Sequence, residues 1–263
     1  MDLKLTGQHV LITGGSRGIG LACALGFLRE GARVSIVGRD TTHLQTARET
    51  LHKETGQTVA THAADLSDAQ AASAMVDSVE QAGGPVDVLV NSAGAARLTP
   101  FAELSPAAWQ AAMQAKFFSY IHVTDPLIKR MAERGRGAVV NVVGMGGKVA
   151  TVHHLAGGSA NAALMLATAG LAAAYGPKGV RVNAVNPALT LTDRAAAGIA
   201  ADARQRQIPE AEALRQAESR APLGRLARPE DIADVVVFLA SPRAGYVSGV
   251  SISMDGAAVP MVV

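Results

Sequence analysis

Short runs of β-branched and aliphatic residues alternate with longer helical patterns along almost the whole chain. Strict alternation of strands and helices predicts a parallel sheet with helices on both faces, so we expect a doubly wound α/β fold of about seven strands. The runs that predict strands are His9–Thr13, Arg33–Val37, Thr58–His62, Val86–Val90, Ala138–Val143, Val180–Asn186 and Val250–Ser253. The helical patterns span about 18–30, 42–55, 68–82, 106–134, 157–176, 195–219 and 229–240.

The length and composition fit a single domain. An α/β fold routinely accommodates 263 residues in one domain, and an apolar fraction of 49% is enough to bury a large core. We therefore expect one domain over residues 1–263. An Ala-rich polar segment at about 191–221 interrupts the strand and helix rhythm. Ligands of such folds bind at the carboxyl edge of the sheet, so we interpret this segment as a lid-like insertion over that edge.

The charge, the apolar runs and the cysteine content each limit which binding partners and which cellular compartment can be expected. The 24 basic and 22 acidic residues are interspersed, so no basic tract predicts nucleic-acid binding. The most apolar stretch, Ala162–Tyr175, is shorter than the roughly 20 residues of a membrane span, so we expect no membrane segment. The single Cys23 cannot form an intramolecular disulfide, and no apolar signal segment follows Met1, which predicts a cytoplasmic protein. The histidines lack partners at metal-ligand spacing, so we expect no metal site.

A glycine-rich turn directly follows the first predicted strand and opens a helix. Glycines at this position allow a tight turn and close approach of the backbone to a pyrophosphate, whose charge the helix N-terminus stabilises. An ordinary glycine-rich turn is the alternative, but the strand before it and the helix after it favour a nucleotide site. The predicted binding residues of this turn are Gly14, Ser16, Arg17, Gly18, Ile19 and Gly20.

Several motifs together resemble the short-chain dehydrogenase/reductase family. The turn has the spacing T-G-x-x-x-G-x-G, and Asn91-Ser92-Ala93-Gly94 follows the fourth predicted strand. The resemblance spans nearly the whole chain and implies a Rossmann-type fold that binds a nicotinamide dinucleotide. It continues through 137–142, 177–187, Pro229-Glu230-Asp231-Ile232-Ala233, Val247-Ser248-Gly249 and Asp255-Gly256.

The resemblance also implies cofactor contacts further along the chain. It places Asp65 and Leu66 beside the adenine. It places Asn91, Ala93 and Gly94 near the ribose, and it assigns Pro187, Thr190 and Thr192 to the cofactor site, the two threonines near the carboxamide.

The choice between the two nicotinamide cofactors can be predicted from charge. NAD-binding folds carry an acidic residue at the end of the second strand, which accepts a hydrogen bond from the ribose 2′-hydroxyl. This chain has Gly38-Arg39 there, and Arg17 lies within the glycine turn. Two cations near a 2′-phosphate favour NADP(H) over NAD(H). The alternative is that both arginines are solvated surface residues.

The catalytic motif of the resembling family is not found at its expected positions. The family's Y-x-x-x-K motif falls on Gly157 and Asn161, its serine position falls on Gly144, and its asparagine position falls on Lys116. Transfer of a hydride to a carbonyl needs a proton donor or a group that stabilises the alkoxide. The resemblance therefore supports cofactor binding better than the family's usual catalysis.

Two features suggest that the catalytic site is rebuilt. Lys116 and Asn161 exchange the residue types that the family places at these positions, which would retain a positive charge from the opposite wall. His153 and His154 precede the vacated tyrosine position, and a histidine that titrates near neutral pH can donate a proton. We expect His154 to be the better placed donor. The alternatives are that the histidines are solvated and that Lys116 points to solvent.

Three functions stay open at this point. The first is an NADP(H)-dependent oxidoreductase that acts on a small carbonyl or alcohol through a non-standard active site. The second is a nucleotide-binding protein without redox turnover, such as a sensor or partner subunit. The third is lyase or isomerase chemistry in the same pocket.

Two apolar segments predict self-association. The helical pattern Ser159–Tyr175 contains no charged residue, and the chain ends in the apolar residues 256–263. An apolar helix face stays in water only at a cost, so we expect a second copy to cover it. In the resembling family this helix pairs across subunits. A homodimer or homotetramer is expected.

Overall fold

All seven predicted strands are present in the computed structural model, which describes residues 1–94 and 99–261, and they pair in parallel as one sheet. The strands are β1 (His9–Thr13), β2 (Arg33–Gly38), β3 (Ala60–Ala63), β4 (Val88–Asn91), β5 (Gly137–Val142), β6 (Val180–Pro187) and β7 (Ser251–Met254). Their order across the sheet is β3-β2-β1-β4-β5-β6-β7. The prediction of a doubly wound, Rossmann-type α/β fold is confirmed. The largest boundary error at a strand start is two residues, at β3 and β4.

Alternate side chains of the central strands enter two different hydrophobic cores, one on each face of the sheet. Val10 and Ile12 of β1 point to one face, whereas Leu11 points to the other. The first face is covered by α1, α2 and α9, and the second by α3, α5 and α6. The helices are α1 (Gly18–Arg29), α2 (Thr41–Thr55), α3 (Ala69–Gly83), α4 (Pro106–Ala112), α5 (Ser119–Glu133), α6 (Leu155–Tyr175), α7 (Asp193–Arg206), α8 (Glu210–Glu218) and α9 (Pro229–Ala240).

Two of the predicted helices are each divided in the structure. The pattern at 106–134 forms α4 and α5 joined by a π-helical turn, Met113–Phe118. The pattern at 195–219 forms α7 and α8, which are separated at Gln207 and Pro209. Gln207 has a left-handed backbone with φ 53°, and Pro209 disfavours helical geometry in the residue before it, so one continuous helix cannot form. The segment predicted as a lid is therefore this helix pair.

The absence of a membrane span was predicted from a short apolar stretch. The helix α6 in the structure is longer than that stretch. Together with the turn that follows, Leu155–Lys178 is long and apolar enough for a span by length and composition, with a mean hydropathy of 1.3. However, 44% of its apolar window is buried within the fold, and the helix packs against β6. A core helix has the same length and composition, so this feature is weak support for a membrane segment.

Candidate functional site

Two adjoining cavities lie at the carboxyl edge of the sheet. The first has a volume of about 790 Å³ and follows the ends of β1, β2 and β4. The second has a volume of about 610 Å³ and is bounded by the ends of β5 and β6, the start of α6, and the helices α7 and α8. Ile19, Ser92, Gly94, Thr192 and Arg194 line both. The two cavities therefore form one continuous site at the place where the strand order reverses, which is the usual ligand position in such sheets.

The glycine-rich turn is packed too closely for other residues. A Cβ atom on Gly14, where φ is +66°, would lie 2.8 Å from the carbonyl oxygen of Ser92. A Cβ atom on Gly20 would lie 2.3 Å from the carbonyl oxygen of Gly14, which means that α1 packs directly on the turn. The Thr13 hydroxyl oxygen accepts hydrogen bonds from the backbone N–H groups of Ser92 and Ala93, at 3.1 and 3.2 Å. These contacts hold the floor of the first cavity.

Most of the predicted cofactor residues line the first cavity. Pro187 and Thr190 instead line the second cavity. Gly20 and Asn91 line neither cavity, so their predicted role as direct contacts is corrected: Gly20 packs under the turn, and the amide of Asn91 is used within the fold. The residues of the first cavity are Gly14, Ser16, Arg17, Gly18, Ile19, Arg39, Asp65, Leu66, Ala93, Gly94 and Thr192.

The side chain of Asn91 links the central strands below the site. Asn91 is fully buried, and its Nδ2 donates hydrogen bonds to Thr124 Oγ1 at 2.9 Å and to Asn141 Oδ1 at 3.0 Å. Asn141 Nδ2 donates in turn to Thr168 Oγ1 of α6 at 3.0 Å. This buried polar chain fixes β4 and β5 to α5 and α6, because each buried polar group needs a partner.

Three arginines line the first cavity without forming an ion pair with the described residues: Arg17 and Arg39, and also Arg194, which borders both cavities. The side chains of Arg17 and Arg39 are exposed and make no ion pair or side-chain hydrogen bond with the residues that the structure describes. The nearby carboxylate of Asp40 does not line the cavity. Its Oδ1 accepts the backbone N–H of His43 as the N-cap of α2, and this hydrogen bond, and to a smaller extent the charges of His43 and Arg17, lower the pKa of Asp40. Hydrogen bonds from Ser67, and then the charge of Arg39, lower the pKa of Asp65. The guanidinium groups of Arg17 and Arg39 thus lie at the rim without an ion pair to any described residue, where they can attract an anionic group.

The second cavity brings together four positions that the resemblance singled out. Lys116, Gly144, Gly157 and Asn161 line it, and so does His154. Lys116 lies in the π-helical turn and is only 7% exposed, so the alternative that it points to solvent is wrong. The cavity wall therefore contains a buried amine beside an imidazole and a carboxamide.

The amine of Lys116 is held by uncharged oxygen atoms. Its Nζ donates hydrogen bonds to Tyr120 Oη at 2.8 Å and to the carbonyl oxygen of Val142 at 3.0 Å. The Tyr120 hydroxyl donates to the same carbonyl at 2.6 Å. Burial, and then the charge of Arg194, lower the pKa of Lys116 to about 7. Tyr120 was missed in the sequence, although its spacing of four residues from Lys116 is the spacing of helical neighbours.

The two adjacent histidines lie in different environments. His154 lines the second cavity, and its Nδ1 is buried without a hydrogen-bond partner among the described residues, as is Oδ1 of Asn161. Burial, and then the charge of Lys116, lower the pKa of His154. His153 is exposed and lines neither cavity, so its candidacy as a catalytic residue is corrected.

Glycine is structurally required beside these groups. Gly144 has φ +128°, a conformation that residues with a side chain rarely adopt, and its Cβ would lie 3.3 Å from Asn161 Nδ2. A Cβ atom on Gly146 would lie 2.8 Å from Cδ2 of His154. Both glycines therefore leave the space in which the imidazole and the carboxamide lie.

Comparison with known proteins identifies the family. The family described as Enoyl-(Acyl carrier protein) reductase matches residues 14–257, from the glycine turn to the turn after β7. The chain belongs to the short-chain dehydrogenase/reductase family. D-threitol dehydrogenase from Mycolicibacterium smegmatis is 34% identical over 261 residues, which cover 97% of this chain and 94% of that protein. Such relatives make this protein an oxidoreductase by family.

Two solved structures of the family are similar throughout. L-sorbose reductase from Gluconobacter frateurii, complexed with NADPH and L-sorbose, is 31% identical with a TM-score of 0.92, covering 97% of this chain and 98% of that chain. An NADPH-bound short chain oxidoreductase from Pseudomonas aeruginosa, described as containing an atypical catalytic center, is 30% identical with a TM-score of 0.88. That match covers 98% of this chain and 100% of the other.

The first cavity fits a nicotinamide dinucleotide. The turn from Gly14 to Ile19 lines this cavity at the N-terminus of α1, which suits a pyrophosphate. The unpaired cations Arg17 and Arg39 lie on the rim of the same cavity. Thr192 and Arg194 border both cavities, so they would contact the part of the cofactor that reaches the second cavity.

Burial of Lys116 predicts that the stability difference between the unsubstituted protein and a variant without this lysine depends on pH. The pKa of the amine falls from its ordinary value of 10.5 to about 7 on folding, so lowering the pH from about 10 to about 7 protonates the unfolded chain first and destabilises the native protein. We expect Lys116→Met to gain stability over the unsubstituted protein as the pH falls through this window. A tenfold difference in proton affinity between the folded and unfolded chains corresponds to about 1.4 kcal/mol.

Urea unfolding at several pH values measures this difference. Lys53→Met, a substitution at an exposed lysine of α2, is the matched control and should show no such trend. A constant difference between Lys116→Met and the unsubstituted protein across the window would contradict burial of the amine.

Proposed function

We propose that the protein is an NADP(H)-dependent oxidoreductase that interconverts a small ketone and its alcohol through an atypical set of catalytic side chains. The observation that carries this proposal is the buried amine of Lys116, which lies in the wall of the second cavity beside His154 and Asn161. The positions of the family's usual serine, tyrosine and lysine are Gly144, Gly157 and Asn161 in this chain. The NADPH-bound relative with an atypical catalytic center supports the same interpretation.

Lys116 supplies the proton in the proposed reaction. A bound nicotinamide dinucleotide supplies the hydride for reduction and accepts it in oxidation. As the carbonyl carbon gains its new C–H bond, the carbonyl oxygen becomes an alkoxide and takes a proton from the Lys116 ammonium. A pKa of about 7 suits this role, because both protonation states are populated at neutral pH. In the oxidation direction the neutral amine accepts the hydroxyl proton.

The surrounding groups orient the proton donor and the substrate. Tyr120 Oη and the Val142 carbonyl fix Nζ from one side. The lowered pKa of His154 keeps its imidazole neutral near pH 7, so it acts as a hydrogen-bonding group toward the substrate oxygen rather than as the main acid. This assignment revises the expectation that Lys116 supplies the positive charge and that a histidine, His154 rather than His153, donates the proton. The unpaired Oδ1 of Asn161 offers an acceptor in the same cavity.

The cofactor preference rests on Arg17 and Arg39. Both guanidinium groups are free at the rim of the first cavity, where they can bind a 2′-phosphate.

We expect NADPH to bind more tightly than NADH. Arg39→Asp should remove or reverse the preference, since a carboxylate repels the phosphate and accepts a bond from a free 2′-hydroxyl. Calorimetry with both cofactors measures this, and equal affinities for the unsubstituted protein would refute it.

Substitution of the catalytic groups should reduce turnover without reducing cofactor affinity. Lys116→Ala should lower turnover by about 10²- to 10⁴-fold, the range for a lost general acid. His154→Ala should lower it by about 10²- to 10³-fold, the range for a lost hydrogen bond to the reacting oxygen. NADPH affinity should change far less, because the first cavity stays intact. The reduction rate of the unsubstituted enzyme should fall as the pH rises through about 7, where the Lys116 ammonium is lost. The oxidation rate should rise over the same range.

The exposed neighbour His153 provides a matched control. His153→Ala should retain full turnover, because the side chain lines neither cavity. A panel of ketones and alcohols, followed by NADPH absorbance, supplies the assay. Full activity of Lys116→Ala would contradict the mechanism. Tight NADPH binding without turnover of any compound would favour nucleotide binding without redox chemistry, or lyase or isomerase use of the cavity.

We also propose that the protein forms a homo-oligomer through α6. This helix contains no charged residue, and Leu166 on it is 77% exposed. Of the apolar C-terminal segment, Val262 and Val263 lie outside the described residues. Light scattering should report a multiple of 26.9 kDa. Leu166→Glu should shift the protein toward the monomer, whereas Leu223→Glu, at an exposed leucine after α8, should not. A monomeric unsubstituted protein would contradict the proposal.

A further inference from the structure

The charged groups that line the second cavity are predominantly basic. Lys116, Arg194, Arg206 and Arg220 contribute four cations, and Asp202 contributes the acidic group. The chain as a whole has a formal charge of only +2, so this concentration is local. A cavity lined in this way attracts an anionic occupant.

The carboxylate of Asp202 is already paired. Arg206 donates to Asp202 Oδ2 at 2.9 Å across one turn of α7, and it also donates to the side chain of Gln216 on α8. These contacts join the two helices of the lid segment and neutralise one cation. Asp202 is therefore not the counter-ion of the remaining basic groups.

Arg220 lines the second cavity but not the first. It has no partner in the part of the chain that the structure describes. It makes no ion pair or side-chain hydrogen bond with residues 1–94 and 99–261. Arg194 also lacks such a bond, but it borders both cavities and is thereby available to the cofactor. Arg220 does not line the first cavity, so a cofactor bound there gives it no counter-ion.

Arg220 and the reacting groups lie on different elements of the cavity wall. Lys116 lies in the π-helical turn, and its Nζ donates to the carbonyl at the end of β5. Arg220 is exposed and lies two residues beyond the end of α8. Of the arginines that line this cavity, Arg194 is the one whose charge lowers the pKa of Lys116. A group bound by Arg220 is therefore held from a different part of the wall than a group that faces Lys116.

We propose that the substrate carries an acidic group several bonds away from its reacting carbon, and that Arg220 binds this group in the second cavity. A carboxylate, sulfonate or phosphate group would each suit a guanidinium. This inference rests on the proposed function, because it names the substrate class of the same site. Arg220 acts in it as a specificity residue that touches the substrate but not the reacting atoms.

Matched acid and ester substrates test the inference. The probes are a straight-chain methyl ketone acid with five methylene groups between its carbonyl and carboxylate, its methyl ester, and levulinate, which has two methylene groups. The enzyme should prefer the long acid over its ester by about 10- to 100-fold in kcat/KM, mainly through KM, as expected for a charge-assisted hydrogen bond. Levulinate should show a much weaker preference over its own ester, because its carboxylate cannot reach Arg220.

Arg220→Gln should abolish the preference for the long acid by lowering kcat/KM for the acid to the value for the ester. Arg204→Gln is the matched control, because Arg204 is an exposed arginine of the same lid segment that lines neither cavity. It should behave like the unsubstituted enzyme. An acid preference that persists in Arg220→Gln, or one that is equally strong for levulinate, would overturn the inference. So would a loss of NADPH affinity in Arg220→Gln, which would assign the arginine to the cofactor.

Calorimetry separates failure of this inference from failure of the proposed function. If no probe is turned over, binding of the long acid and its ester to the NADP⁺-loaded protein is compared directly. Tighter binding of the acid that is lost in Arg220→Gln supports the anion site even though the redox function has failed. Equal binding of acid and ester, or no binding of either, overturns the anion site.

Discussion

Burial of the Lys116 amine is the constraint on which the second cavity depends. An ammonium group loses its hydration when it is buried, and no carboxylate among the described residues forms an ion pair with this one. The carbonyl of Val142 and the hydroxyl of Tyr120 replace only part of the lost hydration. The result is a group whose protonated and neutral forms are nearly equal in free energy at neutral pH. A purely structural lysine at this position would reduce stability without benefit.

The position of Lys116 depends in turn on the sheet. Val142 is the last residue of β5, so its carbonyl lies at the carboxyl edge where the strand pairing ends. Asn91 and Asn141 tie β4 and β5 to each other and to the helices that pack on them. An amine held by a strand end has little freedom to move, and the proposed proton transfer needs such alignment with a bound cofactor.

The sequence predicted the parts of the structure that follow from periodicity and glycine chemistry. The seven strands are buried aliphatic runs, and the glycine turn has a spacing that few other structures require, so both were found. The π-helical turn was missed because the apolar pattern continues through it. The break at Pro209 was missed because an isolated proline does not reveal how the helices on either side of it pack. Asn91 lies in a cofactor motif, but its side chain is buried, so its amide forms hydrogen bonds within the fold. The proposed role of Arg220 could not be predicted, since an arginine near an exposed helix is most often solvated.

The glycines of the second cavity argue for a co-adapted site. A side chain at Gly144 would require an unfavourable backbone conformation and would press on Asn161, and a side chain at Gly146 would collide with His154. The carboxamide and the imidazole can therefore occupy their places only while both glycines are kept. Independent loss of catalytic side chains gives no physical reason for space that matches the groups beside it. The fit of His154 and Asn161 with these glycines, next to a buried amine, therefore supports the proposed atypical active site.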